Sequence, residues 1–196
     1  MKELKNISKT NLSREWATLD RIDYDYQFKN GEWKRLSRET YNRGNGTAIL
    51  LYNQSKNTVI LTRQFRMPIY DQNRHEAMSI EACAGAIDKG ESPKSTIIRE
   101  TEEEVGYRID NAKEVMVAYM SPGALTEKMH LFIAEYSEKN KIHEGGGLKD
   151  EHEDIEVLEI PFHVALDMIK SQEIQDAKTI MLLQYAKIHN LLEWIN

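Results

Sequence analysis

Glu100, Glu103 and Glu104 stand at i, i+3 and i+4, so on a helix their side chains meet on one arc. Three adjacent carboxylates repel one another, and a divalent hard cation is what compensates them. Ligands that are all oxygen favour magnesium, manganese or calcium over zinc. The plainer alternative is a solvated acidic face. Acids this close to a helix C-terminus also oppose the helix dipole, a local cost that asks for a functional reason.

The elements that must position these acids can be read around them. Ser92 can cap a helix that opens after Glu91, Pro93 suits its first position, and Gly106 suits its stop. At about 100° per residue, Ile97, Ile98, Thr101 and Val105 share the arc that should face a core. Upstream, residues 47–52 and 58–62 read as strands around a polar turn, followed by a loop and a short strand near Met78 to Cys83. Downstream, strands are expected near 114–119, 129–136 and 155–160, and amphipathic helices at 162–170 and 179–194. Gly145, Gly146 and Gly147 mark a mobile loop rich in acids. Runs of strands interrupted by a few helices predict a mixed sheet with helices packed on it.

The N-terminal part reads separately. Its first dozen residues are polar and should be frayed. From Trp16 the pattern turns β-like: Ile22, Tyr24, Tyr26 and Phe28 alternate with polar residues. Asn30-Gly31 predicts a two-residue hairpin turn, with a second strand over 32–41. The domain reading is therefore a hairpin extension over 1–42 and a main domain over 43–196.

Composition narrows the class. The 196 residues carry 26 basic and 32 acidic side chains, a net charge of −6, and one cysteine. One cysteine, Cys83, makes neither an internal disulfide framework nor a cysteine-based zinc site; it reads as a buried structural residue. The six histidines show no ligand pairing, and His143 and His152 fall in the acidic loop. No apolar run approaches the roughly 18 residues of a membrane helix, and the polar start lacks a signal peptide, so the cytoplasm is the expected compartment. An acidic chain with no basic stripe is not a nucleic-acid binder of the nonspecific kind.

The spacing Gly85, five residues, Glu91, seven residues, Arg99-Glu100, Thr101, one residue, Glu103-Glu104, one residue, Gly106-Tyr107 resembles the complete Nudix box, with no departure at the defining positions. The resemblance implies the Nudix fold, an α/β/α sandwich of the α/β (α+β) class whose box forms a loop–helix–loop. It also implies hydrolysis of a nucleoside diphosphate linked to another moiety. In the family, the positions matching Glu100, Glu103 and Glu104 hold divalent metal, and the carbonyl of Ala84 or Gly85 adds a ligand. The position matching Glu91 pairs with that of Arg99 to keep the loop in shape.

Most of the chain is similar to the GDP-mannose pyrophosphatase branch. Tyr41 to Gly46, Arg63 to Arg66, Ile80 to Gly85 and Tyr119 to Gly123 carry this likeness, and Asp154 to Glu159 and Asp176 to Thr179 extend it. The sister ADP-ribose branch usually has proline where Cys83 stands. The resemblance implies conversion of GDP-mannose to GMP and mannose 1-phosphate with magnesium, or manganese in its place. ADP-ribose or a broader range of nucleotide sugars is the nearest alternative. From a different class comes a catalytically silent nucleotide-binding module, which the intact box disfavours.

Site roles follow from the same resemblance. Arg66 would bind the diphosphate, its guanidinium matching phosphate oxygens in fork geometry; the alternative is a surface arginine at a strand end. Lys178 matches a ligand-contacting lysine, or is simply solvated. Ala84, Gly85 and Ala86 would line the substrate, with Glu127 and Asp150 reaching it from loops. In this branch the hairpin crosses to a second subunit of a homodimer, where Arg38 and Glu39 would help to bind nucleotide and Trp16 would stack on the base, unless it serves core or dimer packing. The general base belongs to the acidic loop. In this branch a glutamate of that loop also reaches the metal: counting from the triple glycine gives Glu151 for both roles, and counting back from Asp154 gives Glu153. Glu103 completes the catalytic set.

Overall fold

A computed structural model of the chain describes residues 3–72, 77–148, 150 and 152–194. Contacts gather it into two units, Met1–Asn45 with Tyr119–Lys128, and Gly46–Ala118 with Met129–Asn196.

The first unit is a three-stranded antiparallel sheet, β1 (Leu4–Arg14), β2 (Thr18–Gln27) and β3 (Trp33–Asn42), in that order. The dozen residues expected to fray thus form a strand. Nearly all of β1 is exposed, so it shows no inside–outside alternation to read. Its backbone ladder on β2 defines it, with register shifts between Lys5 and Ser8 and between Asn11 and Ser13. Trp16 lies in the bend between β1 and β2 rather than at the start of a strand. The β2–β3 connection is also longer than a two-residue turn. Gln27 pairs with Trp33, and the Phe28 N–H donates to the Glu32 carbonyl at 2.8 Å while Gly31 takes a φ of 83°. Beyond β3, the Tyr41 N–H donates to the Ala124 carbonyl at 2.8 Å, which ties in the 119–128 segment.

The second unit holds β4 (Gly46–Asn53), β5 (Thr58–Phe65), α1 (Met67–Gln72), β6 (Met78–Glu81), β7 (Cys83–Ala86), α2 (Pro93–Val105), β8 (Lys113–Tyr119), β9 (Lys128–Glu135), β10 (Glu156–Pro161), α3 (Phe162–Lys170) and α4 (Ala177–Ile188). Its sheet runs β10-β5-β4-β9-β8, with β6 on β5 and β7 on β4. The β4–β9 pair is parallel and the β4–β5 pair antiparallel, so the sheet is mixed. Ala48, Ile49, Leu50 and Leu51 are all buried, which requires cover on both faces of β4. Ile49 and Leu51 join Ile97 and Val105 of α2, with Phe132 and Tyr136, in one core cluster. Alternation sends Ala48 and Leu50 to the opposite face; α3 and α4 also bury Phe162, Ala165, Leu182, Leu183 and Ala186. The result is the mixed sheet with helices packed on it that the strand and helix pattern predicts, in the α/β/α layering that the resemblance implies.

Two details bear on the site. The short strand expected near Met78 to Cys83 is two strands: Glu81 pairs with Thr62 of β5, and Cys83 with Ile49 of β4. The partner switch falls at Ala82, whose N–H donates instead to Thr179 Oγ1 at 2.6 Å. Asp176 caps α4, accepting from the Thr179 N–H at 3.0 Å, so the helix starts before Thr179 and stops at Ile188, short of Trp194. No helix among the described residues is long and apolar enough to cross a membrane.

Candidate active site

Helix α2 forms as its sequence dictates. Ser92 and Ser95 make a reciprocal capping box, Pro93 opens the helix, and Gly106 closes it with a φ of 75°. Its inner face buries Thr96, Ile97, Thr101 and Val105, while Ile98 packs partly buried against the same cluster. Glu104, on the next arc, is buried too, and only 3% of it is exposed.

Two of the helical carboxylates meet the backbone of β7. The Ala84 N–H donates to Glu104 Oε2 at 3.1 Å. A side chain on Gly85 would put its Cβ 2.2 Å from Glu100 Oε1, so glycine there makes room for that carboxylate. In a strand a residue's N–H and C=O leave by the same edge; the Ala84 carbonyl therefore shares an edge with Glu104. Burial pushes Glu100 up to about 7, against the pull of Arg99 and with the added charges of Glu103 and Glu153. Burial likewise pushes Glu104 up to about 7, against hydrogen bonds from Cys83 and the Ala84 N–H and with the charges of Glu100 and Glu153. The cysteine thiol itself is raised by burial and by Glu104, which keeps it inert.

Glu103 faces a different partner. Arg99 donates from Nη1 to Glu103 Oε2 at 2.6 Å, and its Nη2 lies 3.0 Å from Glu100 Oε1 and 3.4 Å from Glu91 Oε2. Glu91 also accepts from Thr96 Oγ1 at 2.7 Å, so the loop before α2 is pinned to its first turns. Among the described residues no three His, Cys, Asp or Glu side chains are gathered as a ready-made metal centre. Glu100, Glu104 and the Ala84 carbonyl nevertheless form an oxygen-only set around the space Gly85 leaves, and Glu103 would join it by turning from Arg99. Such a set fits a hard divalent cation.

The triple glycine, expected to be mobile, is fixed to the far end of α2. The Gly146 N–H donates to the Glu104 carbonyl at 2.8 Å and the Gly147 N–H to the Glu103 carbonyl at 3.3 Å. All three glycines have positive φ, and a Cβ on Gly145 would meet the Glu104 carbonyl oxygen at 2.5 Å. Unpaired helix carbonyls need donors, and here the loop supplies them. This brings the acidic loop to the carboxylates. Glu153 accepts from the Leu148 N–H at 2.9 Å, and its charge acts on both Glu100 and Glu104. Glu151 lies outside the described residues. Asp150, His143 and His152 are exposed.

Arg66 and Lys178 converge on a residue the sequence reading passed over, Glu81. Arg66 donates from Nε to Glu81 Oε1 at 2.9 Å and from Nη2 to Oε2 at 3.0 Å. Lys178 Nζ donates to Glu81 Oε2 at 2.5 Å and to Asp176 Oδ1 at 2.8 Å. Burial disfavours the Glu81 charge, but the Arg66 hydrogen bond and the charges of Lys178 and Arg66 outweigh it and pull the carboxyl to about 2. Lys178, with 13% of its side chain exposed, is not loosely solvated, and Arg66, just past the end of β5 with 40% exposed, is held at the surface by this carboxylate. The available signal was a lone acid inside the run Ser79-Ile-Glu-Ala-Cys83. Glu104 also acts on the Arg66 charge, so cations and helical acids lie within electrostatic reach.

The remaining candidates belong to the first unit, apart from Ala86, which is exposed at the end of β7. Arg38 and Glu39 are exposed on β3, and Trp16 is 78% exposed. Glu127 is buried and paired with Arg43, whose Nε lies 2.7 Å from its Oε1, a partner not foreseen for it.

The NUDIX domain model matches residues 42–183, and the chain belongs to the Nudix family. A solved structure titled "Crystal structure of ADP compounds hydrolase" shares the fold at a TM-score of 0.68 and 22% identity, covering 96% of this chain and 95% of that one. A second model, described as the GDP-mannose pyrophosphatase NudK N-terminal domain, matches residues 3–41. The GDP-mannose pyrophosphatase of Pectobacterium atrosepticum is 49% identical over 93% of this chain and 93% of its own. That of Escherichia coli O157:H7 is 47% identical over 93% and 94%, and that of Yersinia enterocolitica 46% identical over 97% and 98%.

Proposed function

We propose that this chain hydrolyses the diphosphate of GDP-mannose to GMP and mannose 1-phosphate. The observation that carries the chemistry is the meeting of Glu100 and Glu104 with the Ala84–Gly85 backbone, within electrostatic reach of Arg66. Near-identical length and 46–49% identity to proteins named GDP-mannose pyrophosphatase support the substrate.

Glu100, Glu104, the Ala84 carbonyl and, on leaving Arg99, Glu103 would hold magnesium, or manganese in its place. When bound, such a cation neutralises phosphoryl oxygens and lowers the pKa of a water. The chain's own residues do the rest. Arg66 and Lys178 present fixed positive charge to the diphosphate. Ala84, Gly85 and Ala86 line the substrate, Ala84 and Ala86 with backbone on the outer edge of β7 and Gly85 between them with its backbone turned to β4. The acidic loop accepts the proton of the attacking water as the bond to the bridging oxygen breaks. Glu153 is the described candidate for this step and Glu151 the other, and comparing Glu153→Gln with Glu151→Gln decides between them.

The same reading makes 1–42 an extension exchanged in a homodimer, carrying Trp16, Arg38 and Glu39 to the partner's nucleotide, with Glu127 and Asp150 as loop contacts. Exposed Leu4, Ile7 and Leu12 on β1 support a surface that another copy covers. Light scattering that shows only monomer at micromolar concentration would undo this part.

The deciding test of substrate incubates the protein with magnesium and, separately, GDP-mannose, ADP-ribose and a capped RNA, with products separated by chromatography. GMP and mannose 1-phosphate at the highest kcat/KM are expected. Preference for ADP-ribose would reject the substrate but keep the chemistry, and no turnover would leave a nucleotide-binding module.

A further inference from the structure

Arg66 and Lys178 repel each other, yet both close on one carboxylate. Glu81 is itself almost fully buried, with 5% of its side chain exposed, and Lys178 has 13%. Its backbone is anchored on both sides: the Glu81 carbonyl accepts from Thr62 Oγ1 at 3.2 Å, and the next N–H, that of Ala82, donates to Thr179 Oγ1 at 2.6 Å. The two-point bond to Arg66 fixes the plane of the guanidinium and uses Nε and Nη2, leaving Nη1 outside the pair. On the other side, Asp176 holds Lys178 and caps α4 through Thr179. The whole cluster hangs on the partner switch at Ala82 between β6 and β7, two residues before Ala84.

A carboxylate facing a diphosphate would repel it. One covered by two cations instead cancels part of their mutual repulsion, lets them stay semi-buried and sets their direction. We propose that Glu81 is a positioning residue, which touches neither substrate nor metal and orients Arg66 and Lys178 toward the diphosphate. This rests on the proposal that those two cations bind the diphosphate.

A double-mutant cycle tests it. Wild type, Glu81→Gln, Arg66→Ala and the double variant are compared with magnesium for kcat and KM on GDP-mannose and on ADP-ribose, with circular dichroism to check folding. A residue acting through Arg66 gives non-additive losses. Glu81→Gln alone should raise KM roughly tenfold with a smaller fall in kcat, as lost preorganisation does. In the Arg66→Ala background the same change should alter kcat/KM by less than about threefold. Equal losses in both backgrounds, or a lowered kcat with unchanged KM, would overturn the proposal. Should Glu81→Gln fail to fold, Glu81→Asp keeps the charge but cannot reach both partners, and a folded Glu81→Asp with wild-type KM overturns it equally. If wild type prefers ADP-ribose, the substrate reading fails while the cycle on ADP-ribose still decides the role of Glu81. If neither substrate is turned over, the cycle is read on the Kd of GDP by calorimetry, with the same non-additivity expected and simple additivity overturning it.

Discussion

Two groups of acids in the same unit, Glu81 and the pair Glu100 and Glu104, are withdrawn from solvent and end in opposite states. Glu81 is met by two cations and its carboxyl falls to about 2. Glu104 is buried and Glu100 partly so, but their neighbours include other acids and they rise to about 7. Burial alone does not separate them, since it disfavours the charge of all three. What differs is who supplies the compensating charge. For Glu81 the chain supplies it, and the acid becomes part of the scaffold. The pair on α2 lacks enough of it, and that deficit is what an external cation would satisfy.

The largest test of this contrast is activity. Glu104→Gln keeps an acceptor for the Ala84 N–H but removes a charge, and should lower kcat by at least about a hundredfold while the protein stays folded. Near-normal turnover of Glu104→Gln would end the distinction. Stability should move in opposite directions. Glu81→Gln strands two cations and should cost about 1–3 kcal/mol, read as a lower Tm, whereas Glu104→Gln relieves repulsion and should leave Tm unchanged or raised. Magnesium sharpens it further. At about 100 times its Kd it should stabilise the wild type by up to about 2.7 kcal/mol. Glu81→Gln should keep most of that gain and Glu104→Gln should lose it, as thermal melts with and without magnesium would show.

The smallest effect is acid sensitivity. The Glu81 carboxyl is lowered from 4.5 to about 2 in the folded chain, so its contribution is complete above about 4.5 and fades as the pH falls toward 2. The stability gap between wild type and Glu81→Gln should therefore narrow between pH 5 and 3 in urea titrations. A gap that stays constant would mean that the partners of Glu81 act through packing and not through charge.

The two regions also differed in how far the sequence revealed them. Helix α2 was legible to its ends, because Ser92, Pro93 and Gly106 are local signals and the carboxylate spacing follows from one helical period. The Glu81 cluster was not, because its parts come from β5, β6 and α4 and a single acid in a short strand has no period. Its cations were singled out, yet their shared partner was not. Strand β1 escaped for a related reason: exposed along nearly its whole length, with Leu4, Ile7 and Leu12 in no period-two pattern, it is defined by a ladder and not by alternation. The triple glycine signalled freedom, and the fold uses that freedom to reach conformations that seat three backbone units on the end of α2. Glu127 was placed in a loop correctly, but Arg43, its partner, is 84 residues away in sequence.

The bond from the Ala82 N–H to Thr179 joins residues 97 apart. Its consequence lies in the order of synthesis. By the time the box helix has emerged from the ribosome, the β4–β5, β5–β6 and β4–β7 partners are all made, but the link that carries Glu81 on one side and Ala84 on the other still lacks its pin. That pin arrives only with α4. A nascent chain halted before α4 would hold every acid of the box and still have the strand beside them unfastened, so the site is completed only once α4 is made and not when its signature residues appear.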